Sequence, residues 1–111
     1  INDNNKKNVI VVSIPDYAYT PFGQNANSRN ISKEIDEYNN YAKVRADGYG
    51  VTFVDITNIT REGLKDQQLV ANDNLHPSAK AYKKFVEKII NNNSTHSKAL
   101  RISNIDTDWL V

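Results

Sequence analysis

The chain has 111 residues, of which 39% are hydrophobic and 24% are charged, a balance typical of one folded domain and not of a disordered segment. A formal net charge of +1 gives no electrostatic reason to expect nucleic acid as a partner. The absence of cysteine excludes disulfides and thiolate metal sites, and no apolar run approaches the roughly 18 residues that a membrane-spanning helix needs.

The first strand-then-helix unit begins with the β-branched, apolar run Val9–Ile14, which is typical of a parallel strand covered on both faces. A polar connection with prolines and a glycine follows at about residues 15–30. Helical spacing returns at Ile31, with Asn30 as the expected N-cap and Gly48 as the expected end of the helix. The predicted stripe of this helix consists of Ile31, Ile35, Tyr38, Ala42, Arg45 and Ala46.

The second unit begins with the strand-like run Val51–Ile56 and continues into a long connection, Thr57–Asn74, with a short helical turn predicted around Arg61–Lys65. The last helix, Ala79–Ile90, is the clearest element, because its apolar residues recur with the spacing i, i+3, i+4, i+7 and i+8. We therefore divide the chain into an α/β domain, residues 1–92, and a linker and tail of unknown role, residues 93–111.

The alternation of strands and helices predicts a parallel α/β sheet with right-handed crossovers, in which sites form beyond the carboxyl ends of the strands. Three loops are expected to converge there: Pro15–Phe22, the segment from Thr57 onward, and Asp73–Pro77. Asp16 and Asp55 also fall near strand ends, but turns and caps are commoner uses of aspartate there, so we leave both outside the catalytic set. We expect either a binding pocket or simple aromatic packing from Tyr17, Tyr19 and Phe22.

The segment Asp73–Ser78 is the most informative one, because it places a carboxylate and an imidazole three residues apart just before a helix. The imidazole of His76 suits proton transfer near neutral pH, and a carboxylate on its other nitrogen fixes the tautomer and stabilises the imidazolium. In the alternative interpretation, Asp73 and Asn74 form a turn and His76 caps the helix, with Pro77 at its first position. A metal site is a weaker option, because zinc needs at least three protein ligands.

This arrangement resembles the last conserved block of the SGNH (GDSL-type) hydrolases, where Asp-x-x-His, usually followed by Pro, precedes the C-terminal helix. The similarity extends to Val9–Tyr17, the Thr20–Phe22 loop and the helix from Ile31, and it is greatest to bacterial acyl-esterase-like members. The resemblance implies a partial flavodoxin-like three-layer sandwich with parallel strands. It also implies that His76 and Asp73 are two members of a Ser-His-Asp triad that needs neither a metal nor an organic cofactor.

The chain also departs from the family, because the Gly-Asp-Ser block with the nucleophile and the Gly and Gly-x-Asn-Asp blocks with oxyanion donors are absent. The four glycines are Gly23, Gly48, Gly50 and Gly63, and none opens such a block. We interpret the chain as the C-terminal portion of a serine ester hydrolase that is inactive by itself. The alternative is a non-catalytic α/β binding or interaction fragment in which Asp73 and His76 are structural.

The resemblance implies a small-molecule or carbohydrate ester as the substrate of the parent enzyme, and we expect neither a nucleic-acid partner nor a membrane span. The missing N-terminal portion, or a second copy of the chain, is a further candidate partner. The sequence leaves the compartment open, with secreted and cytoplasmic locations both allowed. His96 lies in a Ser/Asn-rich tail without an acidic neighbour, and we interpret it as a surface histidine.

Overall fold

The computed structural model describes residues 5–92, so the predicted linker and tail, with His96, lie outside the described residues. The strands are β1 (Ile10–Val12) and β2 (Thr52–Val54). The α-helices are α1 (Pro21–Gln24), α2 (Ser28–Tyr49), α3 (Thr57–Thr60) and α4 (Ala79–Asn92). Short 3-10 turns occur at Lys6–Asn8, Tyr17–Tyr19 and Gln67–Leu69. The predicted alternation of strands and helices is confirmed.

The sheet consists of β1 and β2, which pair in parallel with Val11 opposite Phe53. The helix α2 lies between them in sequence and forms the crossover that parallel pairing requires. Both strands are shorter than the predicted runs Val9–Ile14 and Val51–Ile56. The parallel ladder continues by only one bond, from the Ser13 N–H, before side chains replace it.

A polar cluster around the buried side chains of Ser13 and Thr57 ends both strands at the same edge of the sheet. The Ser13 hydroxyl accepts the Thr57 N–H at 3.1 Å and donates to the Asp55 carboxylate at 3.0 Å. The Thr57 hydroxyl donates to the Ile14 C=O at 2.7 Å and accepts a bond from the Asn39 amide at 2.8 Å. The Asn39 carbonyl oxygen in turn accepts the Ile14 N–H at 2.9 Å. These bonds satisfy backbone groups that a longer ladder would otherwise have used.

One face of the sheet packs against α4. By register, Ile10 and Val54 share this face, and the rings of Tyr82 and Phe85 pack edge to face with centroids 5.3 Å apart. The core cluster consists of Val54, Ile56, Leu69, Ala81 and Phe85, with Ile10, Ile59, Tyr82 and Ile89 packed against it. The helix α2 contacts both strands but contributes nothing to this cluster, so it covers the opposite face.

The helix α2 is longer than predicted, and both expected caps are wrong. Its N-cap is Asn27, whose side chain accepts the Asn30 N–H, so Asn30 lies inside the first turn. Its C-cap is Gly50, which has a φ of 72°, a left-handed conformation that glycine adopts at little cost. Gly48 lies within the helix, because the second glycine of the Gly-Tyr-Gly segment supplies the turn.

The buried side of α2 also differs from the predicted stripe. Ile35 and Ala46 are buried as predicted, but Tyr38 is 65% exposed and Arg45 is exposed. Asn39 faces the sheet instead, because the strand-end cluster needs its amide group. The Arg45 guanidinium lies over the exposed rings of Tyr41 and Tyr49, 5.9 and 5.4 Å from their centroids.

The connection after β2 begins with a short helix, α3 (Thr57–Thr60), which the sequence did not predict. The helical turn predicted around Arg61–Lys65 follows it directly, as consecutive turns at residues 61–65 in which the Asp66 N–H bonds to the Glu62 C=O at 2.8 Å. The Thr57 N–H bonds to the strand-end cluster, which starts α3 immediately after the strand. The helix α4 begins at Ala79 as predicted. Within residues 5–92, no helix combines the length and the apolar character needed to cross a membrane.

Candidate active site

The Asp73 carboxylate makes three contacts in the loop before α4. Its Oδ1 accepts the backbone N–H groups of Leu75 and His76, both at 2.9 Å, and its Oδ2 contacts Nδ1 of the His76 imidazole. Asn74, between them, has a φ of 63°, in the left-handed region that asparagine tolerates better than most residues. This local turn brings the carboxylate and the imidazole together as the sequence predicts.

These hydrogen bonds hold the pKa of Asp73 at about 2, against an ordinary value of 3.8. The largest contribution comes from the backbone N–H of His76, followed by its imidazole and then by the Leu75 N–H. The carboxylate is therefore ionised near neutral pH, although 48% of its side chain is exposed. A carboxylate on Nδ1 leaves Nε2 as the nitrogen that exchanges a proton, and within residues 5–92 no hydrogen bond reaches Nε2.

The cap of α4 is Ser78 and not His76. The Ser78 hydroxyl oxygen accepts the Ala81 N–H at 3.2 Å, the usual geometry of a serine N-cap. Pro77 precedes the helix and pairs with Val70 in an isolated antiparallel bridge. The interpretation of His76 as the cap, with Pro77 at the first helical position, is wrong, although Asp73 does form the turn that the same interpretation predicts.

His76 lines a cleft of about 530 Å³. The three loops predicted to converge contribute to it, because Pro15 follows β1, Thr60 ends α3 and Leu75 precedes α4. The Phe22 N–H bonds to the Asn74 C=O at 3.1 Å, which joins the first loop to the loop that carries His76. The apolar walls include Tyr17, Phe22, Leu69, Val70, Leu75 and Tyr82. Of the three loop aromatics considered above, Tyr17 and Phe22 line this cleft.

The two aspartates at the strand ends are structural. Asp16 has a side chain that is 0% exposed, and it accepts bonds from the Ala18 N–H at 2.9 Å, the Ser32 hydroxyl at 2.6 Å and the Arg61 guanidinium at 3.0 Å. Asp55 belongs to the strand-end cluster. The pairing of Asp16 with Arg61 has no local signature, because 45 positions separate the two residues in sequence.

The described serines are Ser13, Ser28, Ser32 and Ser78. Ser13 and Ser32 donate to Asp55 and Asp16, and Ser78 donates to the backbone of Gln68. In the part of the chain that the structure describes, no serine lines the cleft beside His76. Over the same residues, no three histidine, aspartate or glutamate side chains come together in a way that would hold a metal ion. The described cleft therefore presents the imidazole of His76 and no serine hydroxyl.

A model of the GDSL-like Lipase/Acylhydrolase family matches residues 2–84. This span covers more than half of the chain and includes both strands, Asp73 and His76, and the start of α4. The chain belongs to the GDSL-like lipase/acylhydrolase family. As a member it contains a hydrolase-type domain, and its parallel strands with flanking helices are compatible with part of the family's α/β fold, as the resemblance implied. No curated protein and no solved structure matches the chain significantly.

Proposed function

We propose that this chain supplies the acid–base pair of a serine ester hydrolase, with His76 as the proton carrier and Asp73 as the residue that orients it. The observation that carries the proposal is the contact of the Asp73 carboxylate with Nδ1 of an imidazole that lines the cleft. The nucleophilic serine comes from outside these 111 residues, since the sequence contains no Gly-Asp-Ser block and no described serine lines the cleft.

In the proposed reaction, the serine oxygen attacks the ester carbonyl carbon while Nε2 of His76 takes the hydroxyl proton. The tetrahedral intermediate collapses as Nε2 returns that proton to the departing alcohol oxygen, which leaves an acyl-serine. Water then attacks the acyl-serine by the same two proton transfers and releases the acid. Such general acid–base assistance is typically worth about 10²–10⁴-fold in rate.

Asp73 has two tasks in this reaction. It accepts the Nδ1–H of the neutral imidazole, which leaves the lone pair of Nε2 free to take the serine proton. It then stabilises the imidazolium that forms, and it does so as an anion because its pKa is about 2. The exposed fraction of the His76 side chain, 68%, supports the proposal further, since the ring is accessible to a nucleophile and a substrate.

The test is ester hydrolysis by this chain joined to the portion that supplies the nucleophilic serine. We expect His76→Gln to lower kcat by about 10²–10⁴-fold, because the group that takes and returns the proton is lost. Asp73→Asn should cause a smaller loss, because the imidazole remains. Asp66→Asn is the matched control, since the Asp66 side chain is 38% exposed and pairs with Lys80. A kcat for His76→Gln within twofold of the parent value would refute the proposal.

The 111-residue chain alone provides a second test. We expect it to hydrolyse p-nitrophenyl acetate no faster than an equal concentration of imidazole, because it lacks the serine and the oxyanion donors that contribute much of the rate. The measurement compares the purified chain with its His76→Ala variant. Saturable turnover that disappears in the variant would show that the nucleophile is within the chain.

A non-catalytic binding or interaction fragment is the alternative function. The observation in its favour is that two of the three contacts to Asp73 come from backbone N–H groups, so the turn stands without the imidazole. The same assay separates the two functions, because a binding fragment predicts no dependence of ester hydrolysis on His76.

A further inference from the structure

We propose that the cleft beside His76 binds an aliphatic acyl chain of medium length, so that the substrate is an ester of such an acid and not an acetyl ester. This inference rests on the proposed function, since it assigns a substrate class to the same site. Three features of the cleft support it: the volume of the cleft, the hydrogen bonds that its polar side chains already make within the chain, and the packing of its aromatic wall.

The cleft is larger than an acetyl group requires. Its volume of about 530 Å³ lies within the range of about 300–1,000 Å³ typical of pockets for drug-sized ligands. Tyr17 and Phe22 are 39% and 54% exposed beside it, and aromatic rings left open next to a candidate active site are typical of a binding surface. Leu75 and Pro77, on either side of His76 in sequence, also line the cleft, so apolar surface continues up to the imidazole.

Three of the polar side chains of the cleft already have hydrogen-bond partners within the chain. The Thr60 hydroxyl donates to the Thr57 C=O at 2.5 Å and accepts the Asp16 N–H at 2.8 Å. The Thr20 hydroxyl donates to a backbone carbonyl at 2.7 Å and accepts the Gly23 N–H at 3.0 Å. The Asp16 carboxylate is buried and fully bonded. The single proton of each threonine hydroxyl is already donated, and Thr20 and Asp16 are buried. These side chains therefore offer no hydrogen-bond donor to the hydroxyls of a sugar, and burying such hydroxyls without partners is unfavourable.

The remaining polar side-chain groups in the cleft are the His76 ring and the hydroxyls of Tyr17 and Tyr82. His76 is where the ester group must lie for proton transfer. The acyl chain then extends from the imidazole along the aromatic and aliphatic wall. This placement buries apolar surface and leaves the polar ester at the reactive nitrogen.

The loop that carries Tyr17 and Phe22 packs closely against the backbone at two glycines. A Cβ added to Gly23 would lie 1.9 Å from the Tyr17 carbonyl oxygen, and one added to Gly63 would lie 2.5 Å from the Tyr19 carbonyl oxygen. The Phe22 N–H also bonds to the loop of His76. The wall is therefore formed before a ligand arrives, which lowers the entropic cost of binding.

The experiment titrates the isotope-labelled 111-residue chain with sodium acetate, butyrate, hexanoate and octanoate and follows backbone amide shifts by NMR. The carboxylate is common to the series, so its interaction with Asp73 cancels in the comparison. We expect about fourfold tighter binding for each methylene that enters the cleft, with the shifts concentrated at Tyr17, Phe22 and Leu75. Equal affinity for acetate and octanoate, or shifts concentrated on the outer face of α2, would overturn the proposal.

Two tyrosine variants provide a matched comparison. We expect Tyr17→Ala to weaken octanoate binding roughly tenfold, from the loss of aromatic surface of the order of 50 Å². Tyr38→Ala removes an exposed tyrosine from the outer face of α2, away from the cleft, and should leave the affinity unchanged. Equal effects of the two substitutions would contradict the assignment. Amide spectra of both variants establish that each is folded.

The outcomes separate this inference from the proposed function. Preferential binding of octanoate, with ester hydrolysis that does not depend on His76, would refute the proposed function and leave the acyl-chain site in place. Hydrolysis that depends on His76, with no preference for longer acids, would refute the acyl-chain site and leave the proposed function in place.

Discussion

Asp73 combines a structural turn and a candidate catalytic contact in one side chain. One carboxylate oxygen bonds to two backbone N–H groups and the other contacts the imidazole. The backbone bonds fix the carboxylate whether or not the imidazole is present. The orientation of His76 is therefore imposed by a rigid local turn, and this is the property that a proton carrier needs from its partner.

The first prediction concerns the titration of Asp73. We expect its carboxyl carbon to titrate with a midpoint near 2. In His76→Ala the pKa should rise but stay below the ordinary value, because the backbone N–H groups of residues 75 and 76 still bond to the carboxylate. The measurement is a carbon-13 NMR titration. An unchanged midpoint would mean that the imidazole does not lower the pKa of Asp73. A full return to the ordinary value would mean that the backbone N–H groups do not lower it.

The same pKa fixes the sign of the pH dependence. Because the folded-state pKa lies below the unfolded value, ionisation of Asp73 favours the folded loop above about pH 4. That contribution is lost as the pH falls from about 4 through 2. Hydrogen exchange at the amides of Leu75 and His76 should therefore show weaker protection relative to the rest of the chain over this range.

The second prediction concerns Arg61, which lies between the carboxylates of Asp16 and Asp36, at 3.0 and 2.7 Å. We expect Arg61→Ala to destabilise the chain by about 3 kcal/mol, because it leaves the buried Asp16 without its cation. Lys65→Ala is the control, since the Lys65 side chain is exposed and 3.9 Å from its partner Glu62. It should change the free energy of unfolding by less than about 0.5 kcal/mol.

Urea denaturation of both variants provides the measurement. Equal midpoints for the two substitutions would mean that the bonds from Ser32 and Ala18 alone suffice to hold the Asp16 carboxylate. In that case the ion pair would not be a significant source of stability.

At the scale of the elements, α1 is held close to the turn that precedes it. Gly23 lies in α1 where a Cβ would meet the backbone at Tyr17 and Ala18, so the helix and the 3-10 turn approach each other more closely than a side chain allows. Gly48 lies in α2 with no atom within 4 Å of an added Cβ. These two glycines therefore have opposite physical roles.

The third prediction follows from this contrast. We expect Gly23→Ala to destabilise the chain by about 1–3 kcal/mol through overpacking. Gly48→Ala should stabilise it by about 0.5–1 kcal/mol, because alanine loses less backbone entropy within a helix. Thermal unfolding followed by circular dichroism distinguishes them. A Gly23→Ala variant as stable as the parent would mean that the contact of α1 with the turn relaxes easily.

At the scale of the whole molecule, the described residues form a sheet of two strands, each with one unpaired edge. Val12 and Ile14 are exposed although they continue the apolar run of β1. Parallel sheets are normally buried, and an open apolar edge is a template for pairing with another chain.

The fourth prediction is that the 111-residue chain associates with itself. We expect its sedimentation coefficient to rise with concentration in the micromolar range. Replacing the exposed Val12 by Lys, a residue that protects sheet edges, should reduce the association, whereas Val44→Lys on α2 serves as the control for added charge. A single monomeric species with a cooperative thermal transition would contradict the prediction and indicate a core that is complete within the chain.

The sequence by itself determined the features whose causes are local. The β-branched runs place both strands, and the apolar spacing after Ser78 places α4 at the residue where it begins. The approach of Asp73 to His76 could also be predicted, because a turn of three residues brings the two side chains together without help from the rest of the chain. The alternation of these elements determined the parallel α/β arrangement.

The tertiary structure decided what depends on residues distant in sequence. The helix α2 places Asn39 on the side that faces the sheet, because the Asn39 amide bonds to Ile14 and Thr57 at the ends of the strands. The spacing of apolar residues in α2 does not predict this orientation. The partnership of Asp16 with Arg61 joins residues 45 positions apart. The cleft beside His76 exists because loops after β1 and β2 meet the loop before α4. The spacing of residues within one segment does not predict such long-range contacts, because they depend on how the helices and strands pack and where that packing positions the loops.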